Sequence, residues 1–151
     1  PLVGMNAGGF FTEEIRVMER RMGFRIVTLD GTDGILAHIE CNSNYKVGKY
    51  RVDIDSFEKV AIPALENAIK NKSIVVIDEI GTMELFSMRF KELVSKILNS
   101  EKTLLCTIKE NGDAFTEDIK KRKDVTLVTV NYENRETLPE KVFEMLRTMK
   151  K

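Results

Sequence analysis

The 151-residue sequence has no tryptophan, one histidine and two cysteines. Cys41 and Cys106 stand far apart, so they form neither a disulfide framework nor a zinc-ligand spacing. They read as reduced thiols, which implies a cytoplasmic protein. His38 has no neighbouring Asp, Cys or Ser motif and reads as structural or solvent-facing. Neither charge predominates: Lys plus Arg is 24, Asp plus Glu is 24, and the net charge is zero. That argues against nucleic-acid binding through bulk charge, and no specific nucleic-acid partner is expected. No apolar run approaches the length of a membrane span. Residues 1–10 lack the basic start and long apolar run of a secretory signal. Repeats, low-complexity stretches and linkers are also missing, so residues 1–151 are expected to form one domain. With 42% apolar and 32% charged residues, the composition is that of a soluble globular protein with a real core. The chain starts with Pro1 rather than Met, which suggests an N-terminally incomplete sequence.

The first third has the patterning of strands. Residues 9–16 form a short aromatic and β-branched run. Residues 24–29 and 35–39 flank Asp30-Gly31-Thr32-Asp33-Gly34, and the pair reads as a β-hairpin. Residues 50–54 are a further short strand. Asp55 or Ser56 is then expected to cap an amphipathic helix carrying Phe57, Val60, Ala61, Ala64, Leu65, Ala68 and Ile69 on one face. Pro63 should kink or divide that helix near Ile62.

From residue 73 the pattern alternates between strand and helix. Residues 73–78, 103–108 and 125–130 read as three buried parallel strands. Residues 85–98 and 113–123 read as helices. A last helix, capped by Asn131 or Asn134, reaches about Met149. Such alternation gives an α/β fold with a parallel sheet. Right-handed crossovers bring the strand carboxyl ends to one edge, where ligands of open α/β sheets bind.

That edge carries the sharpest motif, Ile74-Val75-Val76-Ile77-Asp78-Glu79-Ile80-Gly81. It places two adjacent carboxylates at the tip of a buried strand. Successive strand side chains point to opposite faces, but a turn beginning at Ile80-Gly81 would let both reach one cleft. Two carboxylates desolvated together need a cation or hydrogen-bond donors, and magnesium prefers carboxylate and water oxygens. The pattern is that of a Walker B strand, in which the Asp holds magnesium and the Glu polarises water. A strand that merely ends in a solvated acid pair has the same pattern.

The continuation, Asp78-Glu79-Ile80-Gly81-Thr82-Met83-Glu84-Leu85-Phe86-Ser87, resembles the signature of the cancer-related nucleoside-triphosphatase family, small P-loop NTPases. Gly9-Phe10-Phe11-Thr12-Glu13-Glu14-Ile15-Arg16, Arg21-Met22-Gly23-Phe24 and Val47-Gly48-Lys49-Tyr50 are similar to further family segments. So are Phe57-Glu58 with Ala61-Ile62-Pro63, Arg122-Lys123-Asp124 and Glu133-Asn134-Arg135. The resemblance spans residues 9–147. It implies an α/β, three-layer P-loop NTPase-like fold of the RecA, additional-strand type, with a mainly parallel central sheet and an antiparallel β-hairpin.

The family also carries a phosphate loop, Gly-x-x-x-x-Gly-Lys-Ser/Thr, near its amino terminus, and these 151 residues contain no such motif. The resemblance places the family's first strand between residues 103–108 and 125–130. That strand and its loop are absent here, and residues 1–151 alone are therefore expected to bind magnesium-ATP poorly.

The resemblance implies magnesium-dependent hydrolysis of nucleoside triphosphates, ATP and GTP included, to diphosphate and phosphate. It makes Glu79 the catalytic residue and Asp78 the magnesium holder, through water. The implied nucleotide-binding set is Ile74, Val75, Val76, Ile77, Asp78, Glu79, Ile80 and Gly81, with Thr107, Arg122, Asn134 and Arg135. Thr107 senses the terminal phosphate or is satisfied by backbone. Arg122 contacts phosphate or ends a solvated helix. Asn134 and Arg135 lie near the base, or Asn134 caps a helix. Glu13, Glu14 and Arg16 line the substrate side or pair internally. Phosphoryl transfer to an acceptor such as a nucleoside, or a non-catalytic scaffold binding a partner through exposed strand edges, are the alternatives. The partners expected are nucleoside triphosphates, with no membrane.

Overall fold

The computed structural model describes residues 5–149. Pro1, which suggests the incomplete start, and residues 2–4 of the N-terminal segment lie outside them. A seven-stranded sheet has the order β4-β5-β3-β2-β1-β6-β7. Strands β1 (Ala7–Val17), β6 (Ile74–Ile80) and β7 (Thr103–Ile108) run parallel. Strands β2 (Arg20–Thr28), β3 (Asp33–His38), β4 (Lys46–Val47) and β5 (Tyr50–Val52) continue the sheet antiparallel from β1. The expected hairpin is β2–β3, and the antiparallel part extends beyond it on both sides. β4 was not anticipated.

Helix α1 (Ile54–Asn71) lies across β1, β2, β3 and β6, and α2 (Met88–Leu98) packs beside it. Phe10 on β1, Phe57 on α1 and Phe90 on α2 are fully buried. Their ring centroids stand 5.4 to 6.0 Å apart, in edge-on and tilted arrangements. Aromatic pairs favour such geometries, and this cluster fastens both helices to the sheet. Gly9 has φ +125°, and a Cβ there would overlap the Val76 carbonyl. A bare backbone is therefore required where β1 lies against β6.

Several expectations change. Asp53, not Asp55 or Ser56, caps α1: its Oδ1 accepts from the Ser56 N–H at 3.0 Å. Helix α1 also runs unbroken through Pro63. Lys59, whose carbonyl loses its donor, and Pro63 both face solvent. Water can satisfy that carbonyl, so the helix need not divide. The helix expected over residues 85–98 is a 3₁₀ turn (Glu84–Phe86) followed by α2. Ser87 separates them, accepting from the Phe90 N–H at 3.0 Å. Helix α3 (Ala114–Lys120) is capped by Asp113, and α4 (Leu138–Met149) closes the described chain.

The third parallel strand is not formed. Residues 125–130 carry no strand pairing, and Leu127, Val128 and Val130 are exposed. The sheet ends on β7, and among the described residues no strand lies beside this segment. β-branched patterning makes a strand only where a neighbour completes the ladder.

Candidate functional site

Ile74, Val75, Val76 and Ile77 are buried, and Asp78 and Glu79 emerge half-buried at the carboxyl end of β6. β6 ends at a buried Ile80, and the chain turns from Gly81, whose carbonyl accepts the Leu85 N–H at 3.0 Å. The register against β7 also shifts just before that turn: Ile77 faces Cys106 and Ile80 faces Ile108. Asp78 and Glu79 therefore stand opposite Thr107 alone. A bulge of this kind re-aims side chains that would otherwise alternate.

Each acid has a different setting. Asp78 Oδ1 accepts from the Thr107 hydroxyl at 2.7 Å, which joins the ends of β6 and β7. The Glu79 carboxyl folds back over Gly81, where a Cβ would lie 2.9 Å from Oε2 and 3.0 Å from Cγ. Burial pushes its pKa above the ordinary value. The charge of Asp78 adds to the rise, and Lys109 opposes it. Lys109 follows β7, and its Nζ donates to Thr82 Oγ1 at 2.7 Å.

A third carboxylate completes this edge. Glu84 is 5% exposed. Burial pushes it up to about 7, with smaller upward contributions from Glu79 and Asp78; its own and the Gly81 backbone N–H groups act in the opposite direction. Its role was not anticipated, although it is the one charged side chain among Met83, Leu85 and Phe86. Lys109 was also missed, having no motif of its own. Ser87 Oγ donates to Glu58 Oε2 at 2.6 Å, tying this segment to α1.

Among the described residues, no three His, Cys, Asp or Glu side chains converge to hold a metal. Magnesium commonly takes only one or two carboxylates, its other positions filled by water and phosphate oxygens. Asp78 fits that role: Thr107 engages Oδ1, and the neighbouring groups are hard oxygen donors. A cleft of about 620 Å³ between the β3–β5 connection and the start of α1 is lined by His38, Cys41, Ser43, Tyr45 and Asp53 among others, and by none of the acid-edge residues.

A family model described as NTPase matches residues 2–143. The Thermotoga maritima nucleoside-triphosphatase THEP1 is 46% identical over 142 residues, covering 94% of this chain and 82% of that protein. The human cancer-related nucleoside-triphosphatase is 41% identical over 152 residues, covering 89% and 78%. The chain belongs to this nucleoside-triphosphatase family. The crystal structure of THEP1 from Aquifex aeolicus superposes with a TM-score of 0.86 at 35% identity, covering 95% of this chain and 85% of that one. The solution structure of the human protein gives 0.80 at 39%, covering 96% and 84%.

Of the residues that the family resemblance marked, Asp78 to Gly81 and Thr107 meet at one edge, whereas Ile74 to Ile77 are the buried body of β6, with Ile74 paired to Thr103 at the far end of β7. Arg122 is not brought to them. Its guanidinium pairs with Asp124 and donates to Leu98 O at 2.8 Å and Asn99 Oδ1 at 3.1 Å, beside the carboxyl end of α2. Asn134 accepts from the Asn131 N–H through Oδ1, donates to Thr129 O, and receives the Leu138 N–H on its carbonyl. Arg135 lies over the Tyr132 ring and 3.7 Å from Glu136. Glu14 pairs with Arg16 and Arg21, and Glu13 with Arg25, along the projecting β1–β2 ribbon. His38 Nδ1 accepts from the Glu40 N–H.

Proposed function

We propose that this protein hydrolyses nucleoside triphosphates, ATP and GTP among them, to diphosphate and phosphate in a magnesium-dependent reaction. The observation that carries the reading is the Asp78–Glu79 pair at the carboxyl end of β6, with Thr107 bonded to Asp78. Magnesium, held by Asp78 through water, supplies charge neutralisation at the phosphates when bound. Asp78 presents a carboxylate oriented by the Thr107 hydroxyl. Glu79 accepts a proton from the attacking water and aims it at the terminal phosphorus. Burial and the charge of Asp78 raise the Glu79 pKa, which makes it a stronger base than an exposed glutamate. Its carboxyl lies over Gly81, away from the bond that occupies Asp78. Two free cysteines suit a reducing cytoplasm, and no described helix is long and apolar enough to cross a membrane.

The test is phosphate release by a form of the protein that carries the family's phosphate loop upstream of these residues, beside its Glu79→Gln variant, with nucleotide binding measured on both. Turnover is expected to fall about 10²–10⁴-fold with binding retained. Unchanged turnover in the variant would remove Glu79 from its role. Conversion of the triphosphate to diphosphate that appears only with an added acceptor would favour phosphoryl transfer over hydrolysis.

A further inference from the structure

The acid edge assembles Asp78, Glu79 and Glu84 on one short stretch of chain, and a triphosphate would bring further negative charge to it. Close like charges repel unless cations intervene. Arg122 is engaged with Asp124 and the end of α2, and Arg135 with Tyr132 and Glu136. Lys109 is the cation whose charge acts on Glu79. Its backbone N–H donates to Ile80 O at 3.2 Å, which fixes its stem beside the strand that carries both acids. Its ammonium rests on the Thr82 hydroxyl at 2.7 Å, a neutral acceptor at an exposed position. A lysine ammonium is a mobile point charge with three donors. Its bond to a neutral hydroxyl is weaker than one to an anion.

We propose that Lys109 is a phosphate-binding residue of the hydrolytic site, exchanging its bond to Thr82 for one to an oxygen of the terminal phosphate. The role rests on the triphosphatase reading. It follows from the stem anchored at Ile80, the neutral acceptor at Thr82 and the proximity to Glu79. A cation at that point distinguishes a triphosphate from a diphosphate, because only the triphosphate has a phosphoryl group beside Glu79. The bond also offsets repulsion between that group and the two acids.

The experiment measures ATP and ADP affinity calorimetrically with magnesium, in a form of the protein that carries the family's phosphate loop upstream of these residues and Glu79→Gln to prevent turnover. Adding Lys109→Met is expected to weaken ATP roughly tenfold to a hundredfold and ADP less than about twofold. Lys109→Arg should restore most of the loss. Thr82→Val, which removes the resting partner and leaves the cation, should keep the preference for ATP. An equal loss for ATP and ADP in Lys109→Met overturns the proposal, as does Thr82→Val reproducing that loss, which would mark Lys109 as a structural tie to Thr82. Failure of the Glu79→Gln parent to bind ATP, with Lys109 intact, overturns the triphosphatase reading itself and this role with it.

Discussion

Thr107 at the end of β7 donates its hydroxyl to Asp78 Oδ1 on β6 at 2.7 Å. One bond thus joins two parallel strands where their side chains leave the core, and it selects which Asp78 oxygen remains for other partners. Thr107→Val keeps the β-branched shape and removes the donor. Partners that orient a metal-holding carboxylate are commonly worth 10–100-fold in affinity or activity. The magnesium concentration for half-maximal hydrolysis is therefore expected to rise about tenfold, while Thr107→Ser stays close to the parent. A magnesium titration of phosphate release checks this. Superimposable curves for Thr107→Val and the parent would detach Thr107 from the acid.

Gly81 and Glu79 make a second testable pair. A Cβ at residue 81 would come within 2.9–3.1 Å of the Glu79 carboxyl group and its Cγ, and of no nearer backbone atom. The clash falls on the far end of a flexible side chain, so the strand itself need not shift. Gly81→Ala is expected to change the free energy of unfolding by less than about 1 kcal/mol. Turnover should fall by about tenfold or more, since small misplacements of a reacting group are costly. Loss of both in parallel would mean that Gly81 serves the fold rather than the rotamer of Glu79.

Much of this edge is legible in the sequence because its signals are local. Four apolar residues before Asp78 mark a buried strand, and their burial on both sides needs no distant information. The bulge that aims Asp78 and Glu79 is not legible, since it depends on where β7 pairs. Glu84 and Lys109 become visible only when the turn after β6 and the end of β7 are brought together. Residues 125–130 show the opposite failure: their β-branched pattern is genuine, but a strand also needs a neighbour, and no local pattern encodes one. Arg122 reads as a free cation at a helix end, yet it is held by the carboxyl end of α2, 24 positions away along the chain from Leu98. Pro63 reads as a break and is harmless because the carbonyl it orphans faces water.

Ser87 links two parts of the site's support. It caps α2 through the Phe90 N–H and donates to Glu58 on α1 at 2.6 Å. Ser87→Ala removes both bonds and leaves Glu58 with only a distant Arg89, 3.8 Å away. The expected loss is about 1–2 kcal/mol, the usual size for a cap, read from urea unfolding. Ser87→Asp keeps a capping oxygen but sets a second carboxylate against Glu58, so it should not recover the loss. Full recovery by aspartate would show that capping alone accounts for Ser87.

Glu84 gives the fold a pH dependence whose sign can be worked out. It is 5% exposed, and burial pushes its pKa from 4.5 up to about 7. Below pH 4.5 the carboxyl is protonated both folded and unfolded, and it imposes no penalty. As pH rises from there toward 7, the unfolded chain releases its proton first. The folded chain must retain the proton or ionise a buried group, so stability falls. Above about 7 both states are ionised and the loss is complete, on the order of 3 kcal/mol. Glu84→Gln has nothing to titrate at this position. Its stability relative to the parent is therefore expected to increase with pH between about 4.5 and 7 and to level off beyond. Urea unfolding of both proteins at pH 5, 6, 7 and 8 measures the difference. Curves that stay parallel across that range would mean that Glu84 is ionised at no cost, with its charge already compensated inside the fold.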